Sequence, residues 1–232
     1  MKDVRLKNNR QKIKLEDVAD VKLSNVDKKN NPNERIIRLC NYTDVYNNTF
    51  IAEETAKKFM VATANDNEIE RFRIKKGQVA ITKDSETPDD IGVSTYISCD
   101  FDDVLLGYHL ALITPFAKAL SGQYLNYLFH TKHLRQYCEY YAGGSGQRCS
   151  LALDSLKSIP LNELPDFDSQ CHIATVLSSL DEKIALNNRI NDNLPKPDRS
   201  LTLEEASRVM RQGNCFPFDL WIFVHLSLKT MG

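Results

Sequence analysis

Residues 166–194 read "DFDSQCHIATVLSSLDEKIALNNRINDNL", a stretch with neither glycine nor proline. Within it, apolar or asparagine residues recur at alternating steps of four and three. This spacing is typical of a coiled-coil heptad seam, in which core asparagines cost stability but fix register and partner number. The seam consists of Ile173, Leu177, Leu180, Ile184, Asn187, Asn191 and Leu194. A helix of this length measures about 40 Å and needs a surface to lie against, either a helical partner or the chain's own globular part.

The chain ahead of this helix, residues 1–165, predicts a mixed α/β domain. Four segments are rich in β-forming residues or alternate between apolar and polar positions. They are "RIIRLCNYTDV" (35–45), "KKGQVAITKD" (75–84), "IGVSTYI" (91–97) and "YHLALITP" (108–115). A helix is predicted to start at the N-cap Ser121 and to end before Gly143 and Gly144. The predicted fold class is therefore α+β: a mixed α/β domain followed by a long coiled-coil-forming helix at 166–194.

The remaining residues, 195–232, form an atypical C-terminal tail. Pro195 and Pro197 end any helix that precedes them, and the tail holds the single tryptophan, Trp221. The sequence leaves open whether this tail is a short helical hairpin or an appended segment of little order.

Composition narrows the class of protein. The N-terminus is polar and basic, and the longest apolar run is interrupted by Asp219, so we expect a cytoplasmic protein with no membrane span. The six cysteines include no C-x-x-C pair, which favours reduced thiols over disulfides or zinc. Although the formal net charge is −1, basic residues gather in the N-terminal arm and in "RFRIKK" (71–76). Such clustering of basic residues suits binding to a nucleic-acid phosphate backbone. The alternative interpretation is ordinary solvated surface charge.

No catalytic, metal or cofactor site is predicted. The glycine-rich loop "YYAGGSGQRCS" (140–150) lacks the Gly-Lys-Ser/Thr ending of a phosphate-binding loop, and it leaves a helix instead of entering one. The nuclease pattern PD…(D/E)-x-K is matched by Pro165-Asp166 and Asp181-Glu182-Lys183. Its second half falls on the polar face of the predicted helix, where solvated charges are the simpler interpretation. His130 and His133 have no third ligand at a readable spacing.

Several segments resemble the successive motifs of one family, the specificity subunit of type I restriction–modification systems. They include "KKGQVAITKDSETPDDIGVSTYI", "LLGYHLALITP", "GQYLNYLFHTKHLRQY", "GSGQRCSLALDSLKSIPL" and "QCHIATVLSSLDEKIALNNRINDNL". The resemblance implies a target recognition domain at 1–165 that reads one half of a bipartite double-stranded DNA site. It also implies a spacer helix that pairs with a counterpart and docks the methyltransferase subunits. Catalysis would belong to those subunits and to a separate restriction subunit, so this chain would not be an enzyme.

Family members usually carry two recognition domains and two spacers, whereas this chain has room for one of each. The resemblance therefore implies a half-length specificity subunit, native or truncated, that forms a homodimer through the 166–194 helix and reads a palindromic split site.

The resemblance also directs attention to DNA-reading residues. In the glycine loop, Gln147 suits adenine and Arg148 suits guanine, while Ser145 suits a phosphate. A second loop offers Lys83 and Ser85 pointing outward. Further candidates are Tyr108 and His109, which either face the groove or lie at the edge of the core, and the backbone anchors Arg71, Arg73, Lys75 and Lys76.

Two rival functions remain open at this point. One is a stand-alone enzyme, a metal-dependent nuclease or a methyltransferase, which catalysis by the purified chain would establish. The other is an interaction module that uses the coiled coil and does not bind DNA.

Overall fold

The computed structural model describes residues 13–144, 148–162 and 164–193. Several predictions fall outside these ranges: the basic N-terminal arm, the DNA-reading candidates Ser145 and Gln147, the seam residue Leu194 and the tail at 195–232.

The chain divides into two compact units, Met1–Leu180 and Asp181–Gly232. All strands of the described residues lie in the first unit. The described part of the second unit is residues 181–193, which continue the last helix. The domain boundary predicted after residue 165 stays a prediction.

The described residues form short strands and helices in alternation, followed by one long helix. The strands are β1 (Ile13–Lys14), β2 (Ala19–Leu23), β3 (Arg35–Cys40), β4 (Phe50–Ile51), β5 (Met60–Ala64), β6 (Val79–Thr82), β7 (Asp84–Ser85), β8 (Ser94–Ile97), β9 (Val104–Leu106), β10 (Leu110–Pro115), β11 (Gly143–Gly144), β12 (Cys149–Ser150) and β13 (Pro160–Asn162). The helices are α1 (Leu15–Val18), α2 (Tyr42–Tyr46), α3 (Glu53–Ala56), α4 (Asp66–Phe72), α5 (Gly122–Phe129), α6 (Lys132–Tyr141), α7 (Leu153–Lys157) and α8 (Phe167–Asn193).

Two sheets form the body of the first unit. The larger has the order β2-β10-β6-β8-β4 and the smaller the order β5-β3-β9. Most pairs are antiparallel, but β4 runs parallel to β8 and β3 parallel to β9. Two further small sheets, β1-β13 and β11-β12-β7, complete the described strands. The mixed sheets and the long final helix confirm the predicted α+β class.

Strand β10 shows how the sequence builds the layers. Side chains alternate between the two faces of a strand, so Ala111 and Ile113 join a core under the helices α5 and α6. Leu110 and Leu112 point the other way, into a second core that lies beside α2 and α3. The predicted strand is therefore buried on both faces.

Strand β9 repeats this arrangement in the smaller sheet. Val104 and Leu106 contribute to the second core, whereas Leu105 packs with Ile37 and Phe72 in a third core under α4. Three cores are thus stacked through two sheets, and the strands β9 and β10 each belong to two of them.

The single helix predicted from Ser121 to the glycines is wrong in two respects. Ser121 is the N-cap, with its Oγ accepting from the Tyr124 amide at 3.4 Å, but the helix stops at Phe129 and a second one starts at Lys132. The glycines do not cap the second helix. Gly143 and Gly144 form strand β11, because their backbones pair with Ser150 and Cys149.

The long helix α8 is confirmed as one continuous element of 27 residues. The Asp166 carboxylate accepts from the Ser169 amide at 3.0 Å and from its hydroxyl at 2.7 Å, which satisfies the free donors of the first turn. Gln170 and Ala174 are buried in the first unit, and they anchor the start of the helix there. Among the described residues, none of the helices combines the length and apolar character that crossing a bilayer requires.

Candidate nucleic-acid interface

The glycine loop is a β-hairpin that pairs with the second predicted loop. In the three-stranded sheet β11-β12-β7, Gly144 lies opposite Cys149, and Cys149 lies opposite Ser85. The Leu151 amide also donates to the Lys83 carbonyl at 2.8 Å. The two segments that the sequence singled out separately are therefore neighbours on one small sheet.

Gly144 is required by the hairpin itself. A Cβ at this position would lie 2.5 Å from the Arg148 carbonyl oxygen and 3.2 Å from the Cys149 Cα, too close for any side chain. At Gly143 a Cβ would meet nothing within 4 Å. Arg148, which comes directly before β12, is exposed.

Asp84 lies at the centre of this sheet. One carboxylate oxygen accepts from the Ser150 hydroxyl at 2.5 Å, and the other accepts from the Lys83 ammonium at 2.5 Å. The second oxygen also lies 3.4 Å from Nδ1 of His109. Burial alone would raise the pKa of Asp84, but the hydrogen bonds from Lys83 and Ser150 outweigh it and the pKa is lowered. Asp84 is therefore ionised at neutral pH.

Lys83 does not point outward as the sequence suggested. Its side chain is only 13% exposed and its charge is paired with Asp84. Buried charges need such a partner because desolvation is costly. Ser85, the other candidate in this loop, is half-buried, with its hydroxyl 3.4 Å from the Tyr42 hydroxyl.

Tyr108 and His109 occupy the turn between β9 and β10, beside Asp84. Their ring centroids are 3.7 Å apart, with Tyr108 38% exposed and His109 half-buried. Burial lowers the pKa of His109; the charges of Arg148 and Lys83 lower it as well, while Asp84 opposes them. His109 is thus neutral at neutral pH. Its half-buried position lies between the two alternatives that the sequence left open, facing the DNA groove and lying at the edge of the core.

Sequence reasoning missed an aromatic pair beside this sheet. Tyr42 and Tyr46 on α2 stack with ring centroids 5.6 Å apart, and the Tyr46 hydroxyl donates to Asp90 at 2.9 Å. Their spacing of four residues would place them on one helix face. The β-forming residues of segment 35–45 predict a strand there instead, and this is wrong for Tyr42–Tyr46, which form α2.

The four predicted backbone anchors lie elsewhere. Lys75 and Lys76 are exposed in the turn before β6, whereas Lys83 follows the end of that strand. The four residues of β6 separate the two groups by roughly 13 Å. Arg71 is exposed, with its guanidinium 5.1 Å from the centre of the Phe72 ring, and Arg73 is half-buried. The structure therefore gathers Lys83, Ser85, Tyr108, His109 and Arg148 but not the anchors.

The described residues show no group of three or more histidine, cysteine or acidic side chains that could hold a metal ion. Asp166, half of the nuclease pattern, uses its carboxylate on Ser169 at the start of α8.

Comparison with known proteins connects this arrangement to one family. The sequence profile of the "Type I restriction modification DNA specificity domain" matches residues 8–196. The HindI type I restriction enzyme specificity subunit of Haemophilus influenzae is 28% identical over 163 residues, which cover 69% of this chain and 33% of that protein.

Solved structures share the fold. The HsdS subunit of Thermoanaerobacter tengcongensis has a TM-score of 0.51 at 14% identity, over 77% of this chain and 38% of that one. The type I restriction–modification S subunit of M. genitalium has a TM-score of 0.51 at 18% identity, over 82% of this chain and 45% of that one.

The chain spans about a third of the length of the H. influenzae protein and less than half of each solved chain. The match of the profile extends over all of the described strands and over α8. The chain belongs to the family of type I restriction–modification DNA specificity domains.

Proposed function

We propose that this chain is a non-catalytic specificity subunit that reads one half of a bipartite DNA site within a type I restriction–modification complex. The observation that carries the proposal is the small sheet β11-β12-β7. It brings an exposed hairpin arginine, a tyrosine–histidine turn and two polar loops to one surface, in a chain of this family.

The chemistry of this surface suits the major groove of DNA. Arg148 is exposed and can donate two hydrogen bonds to guanine O6 and N7. Tyr108, which is 38% exposed beside His109, offers a hydroxyl and an apolar ring face. Gln147 and Ser145, which closely precede Arg148 in the sequence, stand in the proposal as contacts to adenine and phosphate.

The proposed protein partners are the methyltransferase subunits and the restriction subunit, which supply the chemistry. A solved structure with a TM-score of 0.53, over 77% of this chain, concerns complex assembly of a type I R-M system. Helix α8 is the proposed contact element, because apolar side chains line it without cover. Ile173, Leu180 and Ile184 of the predicted seam are exposed, as is Val176 beside it, while Leu177 is half-buried.

The same stripe supports pairing with a second copy. An exposed row of β-branched and leucine side chains spaced by three and four residues is the surface that coiled-coil partners bury. Asn187 and Asn191 follow in the seam, are exposed and would set the register of the pair.

Methylation-site mapping in a host with and without this chain tests the proposal. We expect a methylated bipartite motif that requires both the chain and its methyltransferase partner. An identical methylation pattern in both hosts, together with no binding to duplex DNA at low salt in the presence of the methyltransferase, would contradict it and favour an interaction module instead.

A further inference from the structure

A carboxylate at the centre of a DNA-reading surface is unexpected, because DNA is a polyanion and repels it. Asp84 occupies this place, with a side chain only 18% exposed. Its two oxygens contact side chains from three separate segments: Lys83 after β6, Ser150 on β12 and His109 before β10. These segments carry the DNA-reading candidates that the structure gathers.

We propose that Asp84 is a positioning residue for DNA recognition: it aligns the hairpin that carries Arg148 and neutralises Lys83. The inference rests on the proposed function and adds a specificity-determining residue to it. Asp84 itself makes no contact with DNA in this proposal and acts through its neighbours.

One role of Asp84 is to fix the hairpin that carries Arg148. Ser150 lies two residues after Arg148, in a segment held by the backbone pairs of β11, β12 and β7, by the bond from Leu151 and by packing of Cys149 and Leu151 in the first core. The bond from the Ser150 hydroxyl to Asp84 therefore ties the base of the hairpin to β7. A bidentate contact to a base edge tolerates little displacement, so losing the tie should weaken discrimination more than affinity.

The other role of Asp84 concerns the charge of Lys83. Affinity for DNA of any sequence grows with the number of lysines and arginines that reach phosphates. The Lys83 ammonium is held at 2.5 Å from Asp84, and so one cation of this surface is withheld from the phosphate backbone. Arg148, which is exposed, remains available. The ratio of specific to non-specific binding rises as a result.

The variant Asp84→Asn tests whether Asp84 has these two roles in recognition or only stabilises the fold. The variant keeps the shape and can still accept from Ser150, but it releases the Lys83 charge. We expect tighter binding to non-specific duplex at low salt and a salt slope that steepens by about one. The ratio of specific to non-specific affinity should fall about tenfold. A residue needed only for stability would not tighten non-specific binding.

Ser150→Ala is the second variant, chosen because Ser150 is exposed and its loss should leave the fold intact. It removes the tie to the hairpin without changing charge, so we expect a lower affinity ratio at an unchanged salt slope. Glu54→Gln is the matched control: Glu54 is an exposed carboxylate paired with Lys57 at 2.5 Å on α3, away from the small sheet. This variant should keep the wild-type ratio.

The measurement uses the full chain with its methyltransferase partner. Its probes are a duplex containing the motif mapped for the wild type and a scrambled duplex of equal length and composition, titrated over a range of salt. Melting temperatures verify that each variant is folded.

Different results would contradict the proposed function and the proposed positioning role of Asp84. If the wild type does not prefer the mapped duplex, the proposed function is wrong. If the wild type discriminates and both Asp84→Asn and Ser150→Ala keep its ratio and slope, the positioning role is wrong.

Discussion

Arg38 and Lys83 are both cations paired with aspartate, yet they occupy different kinds of site. Arg38 donates from Nε and a terminal nitrogen to the two oxygens of Asp103 at 2.8 and 2.6 Å, and it also donates to Glu53 at 3.1 Å. This bidentate geometry is the strong form of an ion pair. It joins β3 to α3 and to the residue before β9, which is a structural role. Lys83 belongs instead to the candidate interface.

The Arg38 pair predicts how stability depends on pH. The hydrogen bond from Arg38 lowers the pKa of Asp103 below its ordinary value of about 3.9. Because the folded pKa is depressed, the stabilisation is complete above the unfolded value and is lost as pH falls through the folded one. We therefore expect the stability difference between wild type and Asp103→Asn to shrink as pH falls below about 4.

Chemical denaturation at a series of pH values measures this difference. The effect should be modest, since the Asp103 side chain is 48% exposed and solvent screens the pair. Asp102→Asn, which alters the exposed neighbouring carboxylate, is the control. A difference that grows with acidity would contradict the assignment.

Arg148 gives the second prediction at the scale of single residues. Because it is exposed at the end of the hairpin, Arg148→Ala should relax base preference at one position and cost about 1–3 kcal/mol on the preferred sequence. Lys75→Ala, which removes an exposed lysine from the turn before β6, should weaken binding to all sequences alike and reduce the salt slope by about one.

Affinities for a panel of duplexes with single base changes, measured at several salt concentrations, test this contrast. An equal loss of affinity for every sequence in both variants would show that the division between base reading and backbone contact is wrong.

Helix α8 is packed at its start and uncovered further along. Gln170 is buried near its start, where its side chain accepts from the Ser121 amide at 2.9 Å and donates to the carbonyls of Ala119 and Pro165. Further along the helix the apolar seam residues are uncovered, with Leu180 48% and Ile184 57% exposed. An exposed apolar patch of this kind marks an interaction surface.

Leu180→Asp should therefore disrupt pairing of the helix with a partner. A charge in a coiled-coil seam must be desolvated, so we expect the dissociation constant of self-association to rise about tenfold or more. Sedimentation velocity over a concentration series measures it. Thr175→Asp, which places the same charge on an exposed position outside the seam, is the matched control and should associate like the wild type. A wild type that stays strictly monomeric at high concentration would remove the second copy as the partner.

At the scale of the first unit, the strands β9 and β10 connect three cores. Leu105 packs in the third core while its neighbours Val104 and Leu106 pack in the second. Ile113 of β10 lies in the first core and Leu112 in the second. No core can therefore lose its packing without moving a strand that another core also uses.

This sharing predicts a single cooperative unfolding transition for the first unit. Leu105→Ala and Ile113→Ala leave cavities in different cores, yet each should lower the free energy of unfolding by about 2–5 kcal/mol. Far-ultraviolet and near-ultraviolet circular dichroism should report the same shifted midpoint. Val61→Ala, at a position 60% exposed on the smaller sheet, is the control and should change stability by less than about 0.5 kcal/mol. Two separate transitions in either core variant would contradict the shared-strand arrangement.

Local patterns in the sequence predicted much of the secondary structure. The alternation in "KKGQVAITKD" and "YHLALITP" corresponds to β6 and β10, and the heptad spacing corresponds to α8. The motifs also pointed to the correct family. Periodicity succeeds here because it reflects which face of one element is buried, and that depends only on nearby residues.

Other features depended on contacts between distant parts of the chain. Strand β7 at Asp84–Ser85 pairs with β12 at Cys149–Ser150, and neither two-residue strand has a pattern of its own. Strand β12 also pairs with β11, which explains why Gly143 extends as a strand instead of ending a helix. Lys83 and Asp84, beside this sheet, are mostly buried as an ion pair. The sequence by itself determined the type of the longer elements, such as β6, β10 and α8, and the family, because these follow from local spacing and motif. Only the tertiary structure decided which loops share a surface and which charges are neutralised, because long-range strand pairing and burial set both.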